Sequence, residues 1–369
     1  MKIAYDHQIF SGQEYGGISR YFYQLAKNIS RTQNTVRIFS PIHRNSYIKN
    51  LPPELVRGIK FNNYPFGSYG NRLVTEANRL LLKPILNQYQ PDIIHETFYA
   101  KHRSGSKKIP TVITVYDMIH ELYDYYLPPY HRGGWIEKKI SVDRADHVIC
   151  ISENTKKDLI NLFNIDESKI SVTHLAFERS DLSGQGKKKL INNRPFLLYV
   201  GWREWYKNFN NFLASIASSN KLKSDYDIIA FGGGSFSMKQ ERLIKSLGFN
   251  EGQVKQIQGD DNLLAQFYSS ASLFVNPSLY EGFGLTPLEA MSYNCPVVSS
   301  NTSSMPEVIG SAAEFFNPES VDDMRQAIEN VAYSSSRAKE LIKLGKERCN
   351  LFSWQRCSNE TINIYNKLI

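Results

Sequence analysis

Two carboxylates, Glu281 and Glu289, flank a glycine-containing turn in "YEGFGLTPLEAM", residues 280–291. The apolar run "ASLFVNPS" before it reads as a strand, and "LEAMSYN" after it reads as a helix. Thr286, Pro287 and Glu289 fit the N-cap, first and third positions of that helix. Open backbone N–H groups at such a start favour an anion in the loop before it. Glu289 then has two readings. It closes a T-x-x-E capping box, or it holds a ligand. Glu281 sits where a strand ends, beside glycines that permit close backbone approach. Two cations, Arg203 and Lys207, leave another strand end in "YVGWREWYKNF". They are exposed loop charges or a pair able to neutralise a pyrophosphate. Together these residue types suit a ligand with both phosphate and hydroxyl groups.

Other chemistry-bearing residues are less organised. "FSGQEYGGISRYF" sets Gly16 and Gly17 before a helix but is not G-x-G-x-x-G. Asp225 and Asp227 form a D-x-D, yet they precede a strand, at the wrong edge of a sheet for catalysis, and read as surface residues. His95, Glu96, Asp117, His120 and Glu121 follow strands without zinc-ligand spacing. Ser304, Pro306 and Glu307 read as a structural capping box. Cys150, Cys295, Cys349 and Cys357 form no C-x-x-C pair and imply neither disulfides nor zinc. The expectation is a protein without metal or bound cofactor, in a reducing cytosol.

The elements that must position these groups alternate along the chain. "KIAYD", "TVRIFS", "DIIHE", "TVITVYD" and "HVICIS" read as strands, with helices over 18–29, 71–88 and 153–163 among them. A polar, basic stretch follows as a linker, residues 178–194. Then "FLLYVG", "DIIAFGG", "VKQIQG", "SLFVNPS" and "PVVSS" alternate with helices over 208–218, 237–247, 261–269 and 287–293. Such alternation gives parallel sheets, α/β class, in two Rossmann-like domains, 1–177 and 195–351. The 369-residue length agrees with two cores. Ligands sit beyond the carboxyl ends of such strands, in a crevice expected between the halves. Residues 322–348 and 352–369 read as further helices. "KIAYDHQIF" reads as a first strand rather than a secretory leader, and no apolar run reaches transmembrane length.

Charge is unevenly placed. The net value is +8, and residues 1–175 hold 23 Lys and Arg against 16 Asp and Glu, so +7 of it. A basic half suits phosphorylated substrates or an anionic lipid surface. The cations are scattered rather than blocked, which argues against nucleic acid.

The run "NPSLYEGFGLTPLEAMSYNCPVVSSNTSSMPEVIG" resembles the donor site of retaining glycosyltransferases of family four, which have the GT-B fold. Their mark, E-G-F-G-L-x-x-x-E, is matched by Glu281 and Glu289. "GWREWYKN", "GGISR", "VYDMIHE" and "ADHVICISENTKKDL" resemble other landmarks of that family, so the likeness spans nearly the whole chain. It implies two Rossmann-like domains facing across a cleft and a C-terminal helix that crosses back to the N-terminal domain. It implies that Glu289 binds the ribose of a nucleotide sugar and Glu281 the sugar near its reacting carbon. Leu285 and Thr286 would give backbone N–H groups to the pyrophosphate, in the loop with Gly282, Phe283 and Gly284. Arg203 and Lys207 would stabilise the leaving diphosphate in place of a metal. Gly17 would close over the phosphates, and the base would lie near Gln258 and Gly259. The family often has His-Asp where this chain has Tyr116-Asp117, so Tyr116, Asp117 and His120 are the candidates on the sugar or acceptor side.

The function implied is retaining transfer of a hexose from a GDP- or UDP-sugar to a saccharide acceptor. A lipid-linked acceptor at the inner membrane face, in O-antigen or capsule assembly, suits the basic first half. The loop "YDYYLPPYHRGGW", residues 123–135, adds aromatics and cations suited to sugar stacking or a headgroup zone. Competing readings are a nucleotide-sugar epimerase, a phosphorylase and a non-catalytic nucleotide-sugar binder. A dinucleotide oxidoreductase lacks its G-x-G-x-x-G.

Overall fold

In the computed structural model two parallel sheets order the chain, each strand returning through helical or irregular crossovers. The structure describes residues 1–369 except 63, 65–66, 127–132, 179–193 and 204. Most of the expected linker and the middle of the tyrosine-rich loop therefore lie outside the described residues. Two compact units result: Met1–Leu175 with Ser353–Ile369, and Ala176–Phe352.

The first unit holds a seven-stranded sheet. Its strands are β1 (Lys2–Tyr5), β2 (Thr35–His43), β3 (Val56–Lys60), β4 (Ile93–Glu96), β5 (Thr111–Val115), β6 (His147–Cys150) and β7 (Ile170–Val172). The order is β3-β2-β1-β4-β5-β6-β7, and every pairing is parallel. β4 and β5 are buried at every residue, which is why "IIHE" and "TVITV" show no polar alternation. The last helix, Trp354–Asn366, belongs to this unit and packs on helix Gly17–Ile29. The sequence resemblance led to that expectation. Tyr365 on that helix lies 2.6 Å from His95 Nδ1, and His95 Nε2 lies 2.8 Å from Thr114 Oγ1. His95 is wholly buried, and burial lowers its pKa to about 3. It is a core residue rather than a cleft histidine.

The second unit holds β8 (Phe196–Val200), β9 (Asp227–Phe231), β10 (Val254–Ile257), β11 (Leu273–Asn276), β12 (Val297–Ser300) and β13 (Glu314–Phe316). Their order is β10-β9-β8-β11-β12-β13. The direction of winding reverses between β1 and β4 in one sheet and between β8 and β11 in the other. Those are the places where open α/β sheets hold ligands beyond their carboxyl ends. Asp225 and Asp227 lie at the opposite edge, as expected. Asp227 is nevertheless buried, 3.1 Å from Lys255 Nζ, so the surface reading fails for it. A strand-starting carboxylate beside an edge-strand lysine can be buried because it is paired.

Candidate functional site

The loops after β8 and β11 meet at the reversal point of the second sheet. The Leu279 amide donates to the Tyr206 carbonyl at 2.7 Å, tying the two loops together. Lys207, in the short turn Trp205–Lys207, thereby reaches Glu281: Nζ to Oε1 is 2.6 Å. Both side chains are mostly buried. The Ser278 hydroxyl lies 2.7 Å from the same carboxylate oxygen. The loop after β12 fixes the Glu281 backbone. Ser303 Oγ accepts from the Glu281 amide at 2.9 Å, and Ser304 Oγ donates to its carbonyl at 2.8 Å. Thr302 Oγ1 donates to the Leu279 carbonyl at 2.9 Å. Glu281 is thus held at backbone and side chain by its own loop and by two neighbouring ones.

Sequence reasoning missed Ser278, Thr302, Ser303 and Ser304 as supports. The hydroxyl run "NTSS" after β12 was visible, but its relevance depends on β12 lying beside β11. Ser304 does precede helix Met305–Ile309, yet its side chain makes no cap bond there. The capping box expected with Glu307 is therefore replaced by the bond to Glu281.

Helix Leu285–Ser292 starts earlier than the capping grammar indicated. Its N-cap is Gly284, left-handed at φ 99°, with no side-chain cap. That φ favours glycine, and a Cβ there would also press on the Met305 methyl at 2.3 Å. Leu285 and Thr286 are its first residues, and Pro287 holds the third position. Glu289 is the fifth, too far along for a capping box. It is half-buried, and the Tyr268 hydroxyl donates to its Oε2 at 3.3 Å. Burial, then the Glu289 charge, push the Tyr268 pKa up. Gly282 is buried in the loop, and the Phe283 ring packs edge-on against Phe352 at 5.6 Å. Phe283 therefore anchors the loop with its side chain.

Arg203 does not join the Lys207–Glu281 pair. It is buried, and its guanidinium donates to the carbonyls of Gly232 (2.8 Å), Gly233 (3.1 Å), Gly234 (2.6 Å) and Ser235 (3.1 Å). The three glycines all have positive φ, between 70° and 81°. A Cβ on Gly233 would lie 2.7 Å from Arg203 Nη1. Burial lowers the Arg203 pKa from its ordinary value. The pair of cations expected side by side is instead one cation beside Glu281 and one holding a turn. Gln258 and Gly259 are exposed beyond the end of β10, two strands from β8.

The remaining candidates lie in the first unit. Gly17 opens helix Gly17–Ile29, and a Cβ there would meet nothing within 4 Å. Tyr116 is buried edge-on against Tyr21 at 5.8 Å. Asp117 Oδ1 accepts from the Ile119 amide at 3.1 Å, at the start of helix Ile119–Tyr123. His120 is half-exposed on that helix. Lys138, itself buried, donates to the Asp117 carbonyl and to Glu121, both at 2.8 Å. Among the described residues no group of three or more His, Cys, Asp or Glu could hold a metal ion. Among them, too, no helix is long and apolar enough to cross a membrane.

Residues 15–179 match the family described as Glycosyltransferase Family 4, and residues 185–348 match Glycosyl transferases group 1. The O-antigen chain mannosyltransferase B of Escherichia coli is 29% identical, over 95% of this chain and 96% of that protein. The serotype-specific mannosyltransferase WbdA of Escherichia coli is 28% identical over 76% of this chain and 37% of its own length. The structure of sucrose-phosphate synthase from Thermosynechococcus elongatus matches with a TM-score of 0.76 at 19% identity, covering 100% of this chain and 98% of that one. That of WaaG, a glycosyltransferase involved in lipopolysaccharide biosynthesis, matches with 0.72 at 14% identity, covering 98% and 99%. At such identities the two structures bear on fold alone.

Proposed function

The chain belongs to the GT-B glycosyltransferases of group 1 and family 4, and on that premise we propose that it moves a hexose from a nucleotide diphosphate sugar to a saccharide acceptor with retention. The observation that carries this reading is the Lys207–Glu281 pair at the sheet's reversal point, in the loop that leads to the uncapped first turn of helix Leu285–Ser292. Breaking the sugar–phosphate bond builds negative charge on the departing oxygen. Lys207 and the Leu285 and Thr286 amides supply preplaced positive charge and donors for it. As the diphosphate draws on Lys207, Glu281 is freed to accept from sugar hydroxyls, and Glu289 accepts from the ribose. Arg203 contributes by holding the glycine turn rather than by touching phosphate. The departing phosphate takes the acceptor's proton in a front-face attack, without a metal ion.

Mannose is the sugar we assign, because relatives along the chain are named mannosyltransferases. The same names favour O-antigen or capsule-type assembly with a lipid-linked acceptor, at the inner face of the cell membrane. Melting of the protein with GDP and UDP tests the donor site: one of the two should raise the midpoint. Incubation with the matching sugar donor and a saccharide acceptor, read by NMR of the new anomeric proton, tests the reaction. Stabilisation by neither nucleotide would overturn the donor assignment, and an inverted product would overturn retention. Excess EDTA should leave transfer unchanged; strict dependence on added magnesium or manganese would contradict the role given to Lys207.

A further inference from the structure

Beyond the ends of β1 and β4, the first unit contains a cavity of about 190 Å³ at its own reversal point. It is too small for a disaccharide-sized ligand, since such sites run to roughly 300 Å³ and more. Its walls come from the loop after β1, the middle of helix Gly67–Tyr89 and the loop Tyr99–Ser104. Lys83, Lys101 and His102 line it and pair with no carboxylate among the described residues. Arg79 and Glu76 line it as an ion pair at 2.7 Å, and Glu137 lines it too, so the cations outnumber the carboxylates. His7 also lines it but is almost wholly buried otherwise; its Nδ1 lies 3.4 Å from Ser11 Oγ.

The loop carrying Lys101 and His102 is anchored at both ends by buried groups. At Ala100, the amide donates to Ser141 Oγ at 3.0 Å, and Arg144 donates to the carbonyl. At Ser104, the hydroxyl donates to Asp6 and the amide to Glu96 Oε1 at 2.7 Å. Asp6 and Glu96 are each 1% exposed. Burying two carboxylates is costly unless each is well bonded, and burial beside Asp6 pushes the Glu96 pKa up. Both are bonded: Asp6 accepts from Thr97 and Ser104, and Glu96 from Ser104 and Arg144, so the burial is compensated and the loop is fixed. The two exposed side chains of that loop, Lys101 and His102, are both basic. A fixed basic tip over a small cavity suits one compact, multiply charged group. Lysine recognises phosphate as a point charge, and a neighbouring imidazole adds a directional donor.

We infer that this cavity receives a phosphoryl group of the acceptor substrate. The inference rests on reading the chain as a transferase with an acceptor. Its test uses the full chain with saturating GDP or UDP, whichever raises the melting midpoint, so that the donor site is filled. Inorganic pyrophosphate is then titrated while the imidazole resonances of His7 and His102 are followed by NMR. Both should move, and the K101A/H102A variant, whose changes are at exposed positions, should lose at least tenfold in affinity judged by His7. Nucleotide stabilisation should be retained in that variant. Unmoved resonances, undiminished affinity in the variant, or an equal response to acetate would each overturn the phosphoryl assignment. Failure of both nucleotides to bind would instead strike the donor reading, and the pyrophosphate titration would still be read by itself. Sedimentation with phosphatidylcholine vesicles, with and without phosphatidic acid, separates the sources. Gain with phosphatidic acid that K101A/H102A loses assigns a lipid phosphate. Pyrophosphate binding without that gain assigns a soluble phosphosugar.

Discussion

Glu289 and Arg203 show what residue type and spacing reveal and what they hide. Glu289 is five residues into its helix, so a capping role is closed to it. Glu289→Gln should therefore weaken nucleotide binding, by roughly tenfold if one charge-assisted hydrogen bond to ribose is lost. Unchanged affinity, measured by calorimetry with the nucleotide that stabilises the protein, would refute the ribose contact. Arg203 was legible as a cation at a strand end, but nothing in "GWREWYKN" says which way a side chain turns. "FGGGS" held the missing signal, since consecutive left-handed glycines present carbonyls that want a donor. Arg203→Lys keeps the charge but loses the planar fork that reaches four carbonyls. These carbonyls are only part-buried, so losing the fork costs about 1 kcal/mol, and the ligand-free protein should melt a few degrees lower. If Arg203→Lys melted like the wild type and only donor binding fell, the phosphate role would return. The Lys207–Glu281 contact was legible in part, because both residues follow strand ends. That those strands are neighbours is a fact of topology, not of spacing.

At the scale of elements, the long apolar strands were legible and the short ones were not. β3, β7 and β13 are sheet strands without continuous apolar runs, and β3 is largely exposed at the edge. Their pairing comes from the neighbouring strand rather than from their own pattern. The final helix was readable as amphipathic, but its seat came from the family likeness. Its anchor is polar as well as apolar, through Tyr365 and His95. His95 titrates near pH 3 in the fold and near 6.5 when unfolded. Between those values the unfolded chain binds the extra proton, so stability falls as pH falls from about 6.5 towards 3 and is fully present above 6.5. His95 alone should remove about 2 kcal/mol between neutral pH and pH 5. His43, lowered to about 4 by burial, works in the same direction. Denaturation midpoints of wild type and His95→Gln at pH 7 and pH 5 provide the check. The variant should start lower and lose less on acidification, and an equal loss in both would mean that His95 is not the titrating group.

At the scale of the molecule, the excess charge and most of the exposed large apolar groups fall in the same unit. The first half carries +7 of the net +8. Helix Gly67–Tyr89 exposes Leu73 at 65% and Leu80 at 63%, seven residues apart and so on one face. Arg72, Arg79 and Lys83 stand on the same helix. The sequence also offers the loop 123–135 for sugar stacking or a headgroup zone, and Tyr125 and Tyr126 there are exposed as well. Exposure of a leucine in a helix becomes visible only once its neighbours are placed. Each basic side chain near an anionic surface adds about 1 kcal/mol, and salt screens that attraction within about a nanometre. Partial insertion of two leucines is insensitive to salt, since it depends on apolar area. Peripheral attachment through this helix thus predicts two separable contributions. Vesicles of phosphatidylglycerol and phosphatidylcholine should sediment the protein, and raising salt from 50 to 500 mM should reduce binding without abolishing it. The variant L73S/L80S should lose the salt-resistant part and keep the salt-sensitive part. Binding that vanishes entirely with salt, or a variant indistinguishable from wild type in high salt, would remove the leucines from the interface. Equal, negligible sedimentation with and without phosphatidylglycerol would remove the membrane itself.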